Sequence, residues 1–167
     1  ATDSGLAKSA NDGVSWVNYT TGDGIVSNTV YDVFVDRADK IYVATDSGLS
    51  FSSNGGTSWT TYTTAQGLAA NSINDIFIDF NYKIYVATNA GLSISSDGGT
   101  SWTTYTTIHG LASNTINQVT LSTSGIIYLA TSDGLSISVN NGTTWRTIDT
   151  DLGLASNNLV GVQIDNY

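Results

Sequence analysis

The sequence contains no cysteine, methionine, proline or glutamate among its 167 residues. Without cysteine, the chain can form neither a disulfide nor a thiolate metal site. Only five side chains are basic, and they form no run: Lys8, Arg37, Lys40, Lys83 and Arg146. Binding to nucleic acid or to an anionic membrane depends on clustered cations. A chain with five scattered cations and a net charge of −9 is therefore expected to bind neither.

Long apolar segments are also missing. No run approaches the roughly 18 residues of a membrane-spanning helix, and the given residues do not show the pattern of a signal peptide. A start at Ala1 without methionine is expected of a mature chain whose leader was removed, or of a trimmed chain. Only 11% of the residues are charged, so 24 Thr and 21 Ser must supply much of the polar surface. This composition favours a secreted or cell-surface protein.

The most regular feature present is tryptophan, which recurs every 43 residues at Trp16, Trp59, Trp102 and Trp145. A fixed period of this length indicates one supersecondary unit repeated in tandem. We place the repeats at approximately 1–40, 41–83, 84–126 and 127–167, within a single domain covering 1–167.

Each repeat has the pattern of four short strands. In the second unit, residues 72–79 and 92–96 alternate apolar and polar residues, while residues 83–88 and 101–107 are rich in β-branched and aromatic residues. Such runs, bounded by glycine turns and without a helical period, are typical of antiparallel strands. Four strands in each 43-residue unit predict an all-β fold, a β-propeller of four blades. An open β-solenoid is the alternative, although its coils lack two tight hairpins.

The two ends of the sequence correspond to parts of one blade. Leu159–Asp165 matches a first strand, whereas the N-terminus matches a clipped second strand followed by complete third and fourth strands. We therefore predict that Leu159–Asp165 pairs with an N-terminal edge, in cis or in trans. Pairing in cis closes a ring, and pairing in trans gives a closed dimer or an open fibre. The sequence leaves these possibilities open.

The turn before each tryptophan follows the pattern S-x-[DN]-x-G-x-[ST]-W. We expect the Asp or Asn to accept backbone N–H bonds, the glycine to adopt a left-handed conformation, and the tryptophan to cover the hairpin. These predicted structural turns comprise Ser9, Asn11, Gly13, Trp16, Ser52, Asn54, Gly56, Trp59, Ser95, Asp97, Gly99, Trp102, Ser138, Asn140, Gly142 and Trp145.

This motif resembles the Asp-box, or BNR, repeat of sialidases and many other propellers. The neighbouring Gly-Leu-Ala-Ser-Asn and Ile-Tyr-Val-Ala-Thr segments resemble repeats in the sensor propellers of two-component regulators. The resemblance implies that the box lies on an outer hairpin, away from any active site. It also implies that a sialidase would need three arginines and a Tyr–Glu pair, whereas this chain has two arginines and no glutamate.

The sequence predicts no catalytic residue, no metal site and no cofactor. No aspartate departs from the repeat pattern as a paired carboxylate would, so glycoside hydrolysis is only a remote alternative. His109 lies in the linker that follows the fourth strand of its unit and is interpreted as a solvated side chain, since a metal site needs more ligands than one histidine. Calcium at a turn such as Asp46-Ser47-Gly48 is a further alternative, although no twelve-residue loop ends in glutamate.

Two functional hypotheses remain. The first is a non-catalytic extracellular scaffold that self-associates through its split blade. The second is a multivalent lectin that uses Tyr19, Tyr62 and Tyr105, which recur late on the outermost strand; the same residues could instead pack between blades. Asn18 and Asn141 match the N-glycosylation sequon.

Overall fold

The computed structural model, which describes residues 1–165, is built from antiparallel β-sheets. These residues form one two-stranded sheet and three four-stranded sheets, and each sheet is a simple meander. The all-β prediction is therefore confirmed. No helix among the described residues is long and apolar enough to cross a membrane.

The sheets follow one another along the chain. The two-stranded sheet contains β1 (Leu6–Lys8) and β2 (Val17–Tyr19). The first four-stranded sheet contains β3 (Val30–Val35), β4 (Ile41–Thr45), β5 (Leu49–Ser52) and β6 (Thr60–Tyr62). The second contains β7 (Ile73–Ile78), β8 (Ile84–Thr88), β9 (Gly91–Ser95) and β10 (Thr103–Tyr105). The third contains β11 (Ile116–Leu121), β12 (Ile127–Thr131), β13 (Gly134–Ser138) and β14 (Arg146–Ile148).

The fourth strand of each four-stranded sheet is shorter than its sequence suggests. Residues 101–107 were predicted as a strand, but β10 covers only Thr103–Tyr105. The chain then enters a 3-10 turn, Thr107–His109, which ends at the left-handed Gly110 with φ of 100°. Equivalent turns occupy Thr21–Asp23, Thr64–Gln66 and Thr150–Leu152. The threonine-rich run 101–107 therefore forms both the fourth strand and the start of the 3-10 turn, since threonine can also cap a turn.

The hydrophobic core lies between the sheets. One apolar cluster joins the two-stranded sheet to the first four-stranded sheet, and two further clusters join the four-stranded sheets in sequence order. The second strands of the first two four-stranded sheets are covered on both faces, since all five residues of β4 and of β8 are buried. Each sheet therefore depends on its neighbours for burial, as in repeat proteins generally.

Residues 159–165 were predicted as a first strand, and the structure assigns no strand to them. Their first part nevertheless follows the neighbouring sheet. The N–H of Leu159 donates to the carbonyl of Thr131 at 2.9 Å, and the Asn117 side chain donates to the carbonyl of Leu159 at 2.7 Å. Residues 159–162 thus lie beside β11, where the inner strand of a further sheet would run.

Candidate functional site

Successive sheets meet through one repeated aromatic contact. Tyr19 packs edge-on against Trp59 with ring centroids 5.6 Å apart, and the same contact joins Tyr62 to Trp102 at 5.8 Å. The third copy, between Tyr105 and Trp145, measures 6.1 Å. Each tyrosine thus contacts the tryptophan of the following sheet, a favourable T-shaped geometry.

The hydroxyl groups of these tyrosines are also used between sheets. Tyr19 Oη donates to the carbonyl of Gly55 at 3.1 Å, and Tyr62 Oη donates to the carbonyl of Gly98 at 3.1 Å. All three rings are partly buried, and the hydroxyl groups of Tyr19 and Tyr62 have hydrogen-bond partners. This geometry favours the packing interpretation of Tyr19, Tyr62 and Tyr105 over the lectin hypothesis.

The four Asp-box turns share one set of hydrogen bonds. In each turn the serine Oγ accepts from the glycine N–H four residues later, at 2.8 Å. The Asp or Asn accepts from the backbone N–H four residues later, at 2.9–3.0 Å. The four glycines have φ values of 84°, 100°, 91° and 87°. The serine and Asp or Asn side chains of each turn therefore form hydrogen bonds within that turn. His109 is also bonded locally, since its Nδ1 accepts from the Thr106 N–H at 3.1 Å.

Asp97 is the one acid among the four boxes. Hydrogen bonds from the Ser101 hydroxyl, the Ser101 N–H and the Ser95 hydroxyl lower the pKa of Asp97 to about 2. Asn54, at the equivalent position of the second box, contacts the equivalent serine. It accepts from the Ser58 N–H and donates through Nδ2 to the Ser58 hydroxyl at 2.9 Å. Asparagine and aspartate are therefore interchangeable in this turn. The predicted glycosylation residues Asn18 and Asn141 are both exposed.

The inner strands are joined by side chains that sequence reasoning missed. Asp32 Oδ2 accepts from the Ile76 N–H at 3.1 Å, and Asp75 Oδ2 accepts from the Val119 N–H at 2.8 Å. Gln118 occupies the equivalent position in the third four-stranded sheet, and its side chain accepts from the Val162 N–H at 2.7 Å. Burial raises the pKa of Asp75 to about 7, with a further contribution from the neighbouring Asp32 carboxylate. A register shift in each first strand directs these residues toward the following sheet. It breaks the strict alternation on which the sequence prediction depended.

One outer face of the sheet array is incompletely covered. Tyr85, Leu92 and Ile94 in the second four-stranded sheet are buried by the third sheet. Their equivalents in the third sheet, Tyr128, Leu135 and Ile137, are only half-buried. We call these three residues, together with Ile148, the tail face.

The opposite end of the array carries a complementary depression. A groove of about 640 Å³ lies between β1 and the first four-stranded sheet, with Leu6, Val33, Val35 and Ile41 in its wall. We call this the head groove. Val35 is 56% exposed there, whereas its equivalent Ile78 is 5% exposed. Trp16, at the same end, is 59% exposed, whereas Trp59, Trp102 and Trp145 are partly buried against tyrosines.

Comparison with known proteins identifies this arrangement as a propeller. The model of the DUF6242 beta propeller domain matches residues 2–109. No curated protein matches the chain in sequence. An ancestral GH74 enzyme aligns over 89% of this chain and 22% of its own, with 27% identity and a TM-score of 0.70.

Two extracellular domains from B. thetaiotaomicron are also similar. The domain of the hybrid two component system BT3049 aligns over 89% of this chain and 21% of its own, with 20% identity and a TM-score of 0.75. The domain of the one component system BT4673 aligns over 88% and 23%, with 15% identity and a TM-score of 0.72. The chain thus spans about a fifth of the length of each structure, and the likeness to the two sensor domains is one of fold.

Proposed function

The chain belongs to the DUF6242 beta propeller domain family, and on that premise we propose that it is a non-catalytic extracellular module. Its function is to associate end to end with further copies of itself. The four blades, one of them completed between two ends, are part of this proposal. The incompletely covered tail face is the single observation that carries it.

The tail face needs a partner sheet because Tyr128, Leu135 and Ile137 are only half-buried, whereas their counterparts in the second four-stranded sheet are buried beneath the third sheet. Tyr85 is 1% exposed beneath the third sheet, whereas Tyr128 has no such cover among residues 1–165. Burying apolar surface contributes about 25 cal/mol per Å². The occupant that fits best is the two-stranded sheet of a second copy, because the same repeated sequence already covers the equivalent faces within the chain.

The aromatic contact between sheets suggests the register of this association. Ile148 occupies the repeat position of Tyr105, which packs against Trp145. A second copy continuing the array would bring its exposed Trp16 against Ile148. Residues 159–162, beside β11, would then enter the head groove of that copy, near its Val33 and Val35. Such head-to-tail contacts give a ring if the rotation closes and a filament if it does not.

An extracellular location is supported by the two sensor domains, whose own names describe them as extracellular. The low content of charged residues and the exposed sequon residues Asn18 and Asn141 fit the same proposal. The GH74 likeness covers 22% of that enzyme. Our proposal assigns no catalytic step to this chain.

Sedimentation velocity over a hundredfold concentration range tests the association. The full chain should sediment faster as concentration rises. Ile137→Lys places a charge in the tail face and should hold the chain as a monomer. Val139→Lys is the matched control, because Val139 lies two residues away on the hairpin turn and is already 74% exposed.

The outcomes separate clearly once circular dichroism has shown that the variants are folded. Association of wild type and Val139→Lys, but not of Ile137→Lys, supports the proposal. A wild-type chain that stays monomeric at every concentration contradicts it. So does equal association of Ile137→Lys and Val139→Lys.

A further inference from the structure

A small cavity lies at the ends of the three inner strands. It has a volume of about 210 Å³, and its apolar wall is formed by Phe34 and Val35 of β3, Phe77 and Ile78 of β7, and Leu121 of β11. An apolar cavity of about 150 Å³ is large enough to bind benzene. The space therefore accommodates one aromatic ring with a short substituent.

A positively charged side chain lies at the mouth of this cavity. The Arg37 guanidinium lies over the ring of Phe80, 3.8 Å from its centroid, and both residues line the cavity. Among residues 1–165, no carboxylate forms an ion pair with Arg37. A cation over an aromatic face keeps its in-plane N–H groups available, and guanidinium groups recognise carboxylates through such donors.

The two carboxylates in the cavity wall are already occupied by their own turns. Asp36 Oδ1 accepts from the N–H groups of Ala38 and Lys40, at 2.8 and 3.0 Å. Asp79 Oδ1 accepts from the N–H groups of Asn81 and Lys83, also at 2.8 and 3.0 Å. Their Oδ2 atoms accept from the hydroxyls of Tyr42 and Tyr85. Arg37 is therefore the charged group in this wall that remains open to a ligand.

The turn at the edge of the cavity places a bulky residue in a left-handed conformation that the equivalent turns also adopt, with φ of 58° at Asp39 in the first four-stranded sheet. Tyr82 has φ of 61°, an outlier for a bulky side chain, while the equivalent position in the third sheet is Gly125 with φ of 82°. Glycine adopts this conformation without cost, so the turn itself does not need tyrosine. Strained residues of this kind cluster at functional sites.

The repeats also diverge at these turns. Residues 41–64 and 84–107 are nearly identical, whereas the turns read Asp36-Arg-Ala-Asp-Lys40, Asp79-Phe-Asn-Tyr-Lys83 and Ser122-Thr-Ser-Gly-Ile126. Arg37, Phe80 and Tyr82 thus have no counterparts that the common fold would demand. The residues around the mouth of the cavity therefore differ between repeats, whereas residues 41–64 and 84–107 barely do.

We propose that this cavity binds a small carboxylate with an apolar, aromatic body. The ligand ring packs against the apolar wall formed by Phe34, Phe77 and Leu121, and the carboxylate meets Arg37. This inference does not depend on self-association, because the cavity lies between sheets of one chain; its wall residue Val35 also lines the head groove, so binding is measured at concentrations at which the chain is monomeric.

Titration of the ¹⁵N-labelled full chain by NMR tests the proposal with three probes of one shape: phenylacetate, phenylacetamide and phenethylamine. Phenylacetate should give saturable shifts at residues 34–37, 77–82 and 121. It should bind at least tenfold more tightly than the amide or the amine. Shifts elsewhere, no saturation, or equal binding of the three probes would overturn the assignment.

Three variants separate binding from folding. Arg37→Gln should weaken phenylacetate binding at least tenfold, whereas Arg146→Gln, in β14 and outside the cavity, should leave it unchanged. Val35→Phe fills the mouth from an exposed position and should block binding while Arg37 remains. Equal affinity of Arg37→Gln and Arg146→Gln, or undiminished binding by Val35→Phe, would contradict the proposal.

Discussion

Tyr62 meets Trp102 of the following sheet edge-on, with ring centroids 5.8 Å apart and planes at 67°. The same tyrosine donates its hydroxyl proton to the carbonyl of Gly98 at 3.1 Å. Apolar packing and a polar anchor are thus combined in one side chain at the junction. Because the contact repeats with Tyr19 and Tyr105, it is the common element that aligns one sheet with the next.

Removing this side chain should destabilise the protein. Tyr62→Ala deletes the ring from a packed junction and should lower the free energy of unfolding by about 2–4 kcal/mol. Tyr62→Phe keeps the ring and should cost only about 1 kcal/mol, through the lost hydrogen bond. Urea unfolding measures both. Tyr31→Ala is the control, since Tyr31 is half-exposed and its loss should change the free energy of unfolding by no more than about 0.5 kcal/mol. Similar losses of stability for Tyr31→Ala and Tyr62→Ala would contradict this account.

The two adjacent glycines of the third Asp-box turn should differ sharply. Both have positive φ, 72° for Gly98 and 91° for Gly99. A Cβ on Gly99 would lie 2.6 Å from Tyr62 Cζ, whereas a Cβ on Gly98 would have nothing within 4 Å. Gly99→Ala should therefore unfold at lower urea than Gly98→Ala, with an extra loss of about 2 kcal/mol. Equal losses would show that the left-handed conformation, and not the tyrosine contact, sets the cost.

Asp75 should make stability depend on pH. Burial raises its pKa to about 7 in the folded state, against about 3.9 when unfolded. The folded state then binds the proton more tightly, so this contribution is full below about pH 4 and is lost as pH rises through about 7. Asp75→Asn keeps an acceptor for the Val119 N–H and removes the titration.

Urea unfolding of wild type and Asp75→Asn at several pH values isolates this effect. The difference in stability between the two proteins should change by on the order of 4 kcal/mol between about pH 4 and 7, in favour of the variant at the higher pH. Asp97→Asn is the control. The pKa of Asp97 is lowered and not raised, so its difference from wild type should not vary in that window. A flat difference for Asp75→Asn would refute the assignment.

The fold could be predicted because its determinants are periodic. The 43-residue step and the strand alternation of residues 72–96 are local signals, and they led to the all-β arrangement that the structure contains. The partner of each tyrosine was harder to assign. Trp16 and Tyr19 are three residues apart, but Tyr19 contacts Trp59, and a spacing shared by all repeats does not say which copies meet.

The inner-strand carboxylates could not be recognised from sequence for a different reason. Asp32 and Asp75 occupy polar positions of alternating strands and look solvent-facing, but the register shifts direct them into the junctions. Residues 159–165 carry the pattern of a strand, yet pairing into a sheet also needs a second strand beside them. A strand pattern records burial on one face and does not supply that neighbour.

Tyr82 offers a test of strain at the cavity. Tyr82→Gly should raise the free energy of unfolding by roughly 1 kcal/mol, because glycine adopts φ near 61° without steric cost. The same change removes a wall of the cavity and should weaken phenylacetate binding. Thermal unfolding and the NMR titration report the two effects separately. A variant less stable than wild type would indicate that the cation–π contact with Lys40, 5.8 Å from the ring centroid, outweighs the strain.

End-to-end association is most directly tested by mixing two single-end variants. Trp16→Lys alters the head of the chain, and Ile137→Lys alters its tail face. Each variant alone should sediment as a monomer, and an equimolar mixture should form a one-to-one dimer, because one intact head and one intact tail face remain. A mixture that stays monomeric while the wild type associates, or either variant associating alone, would contradict head-to-tail assembly.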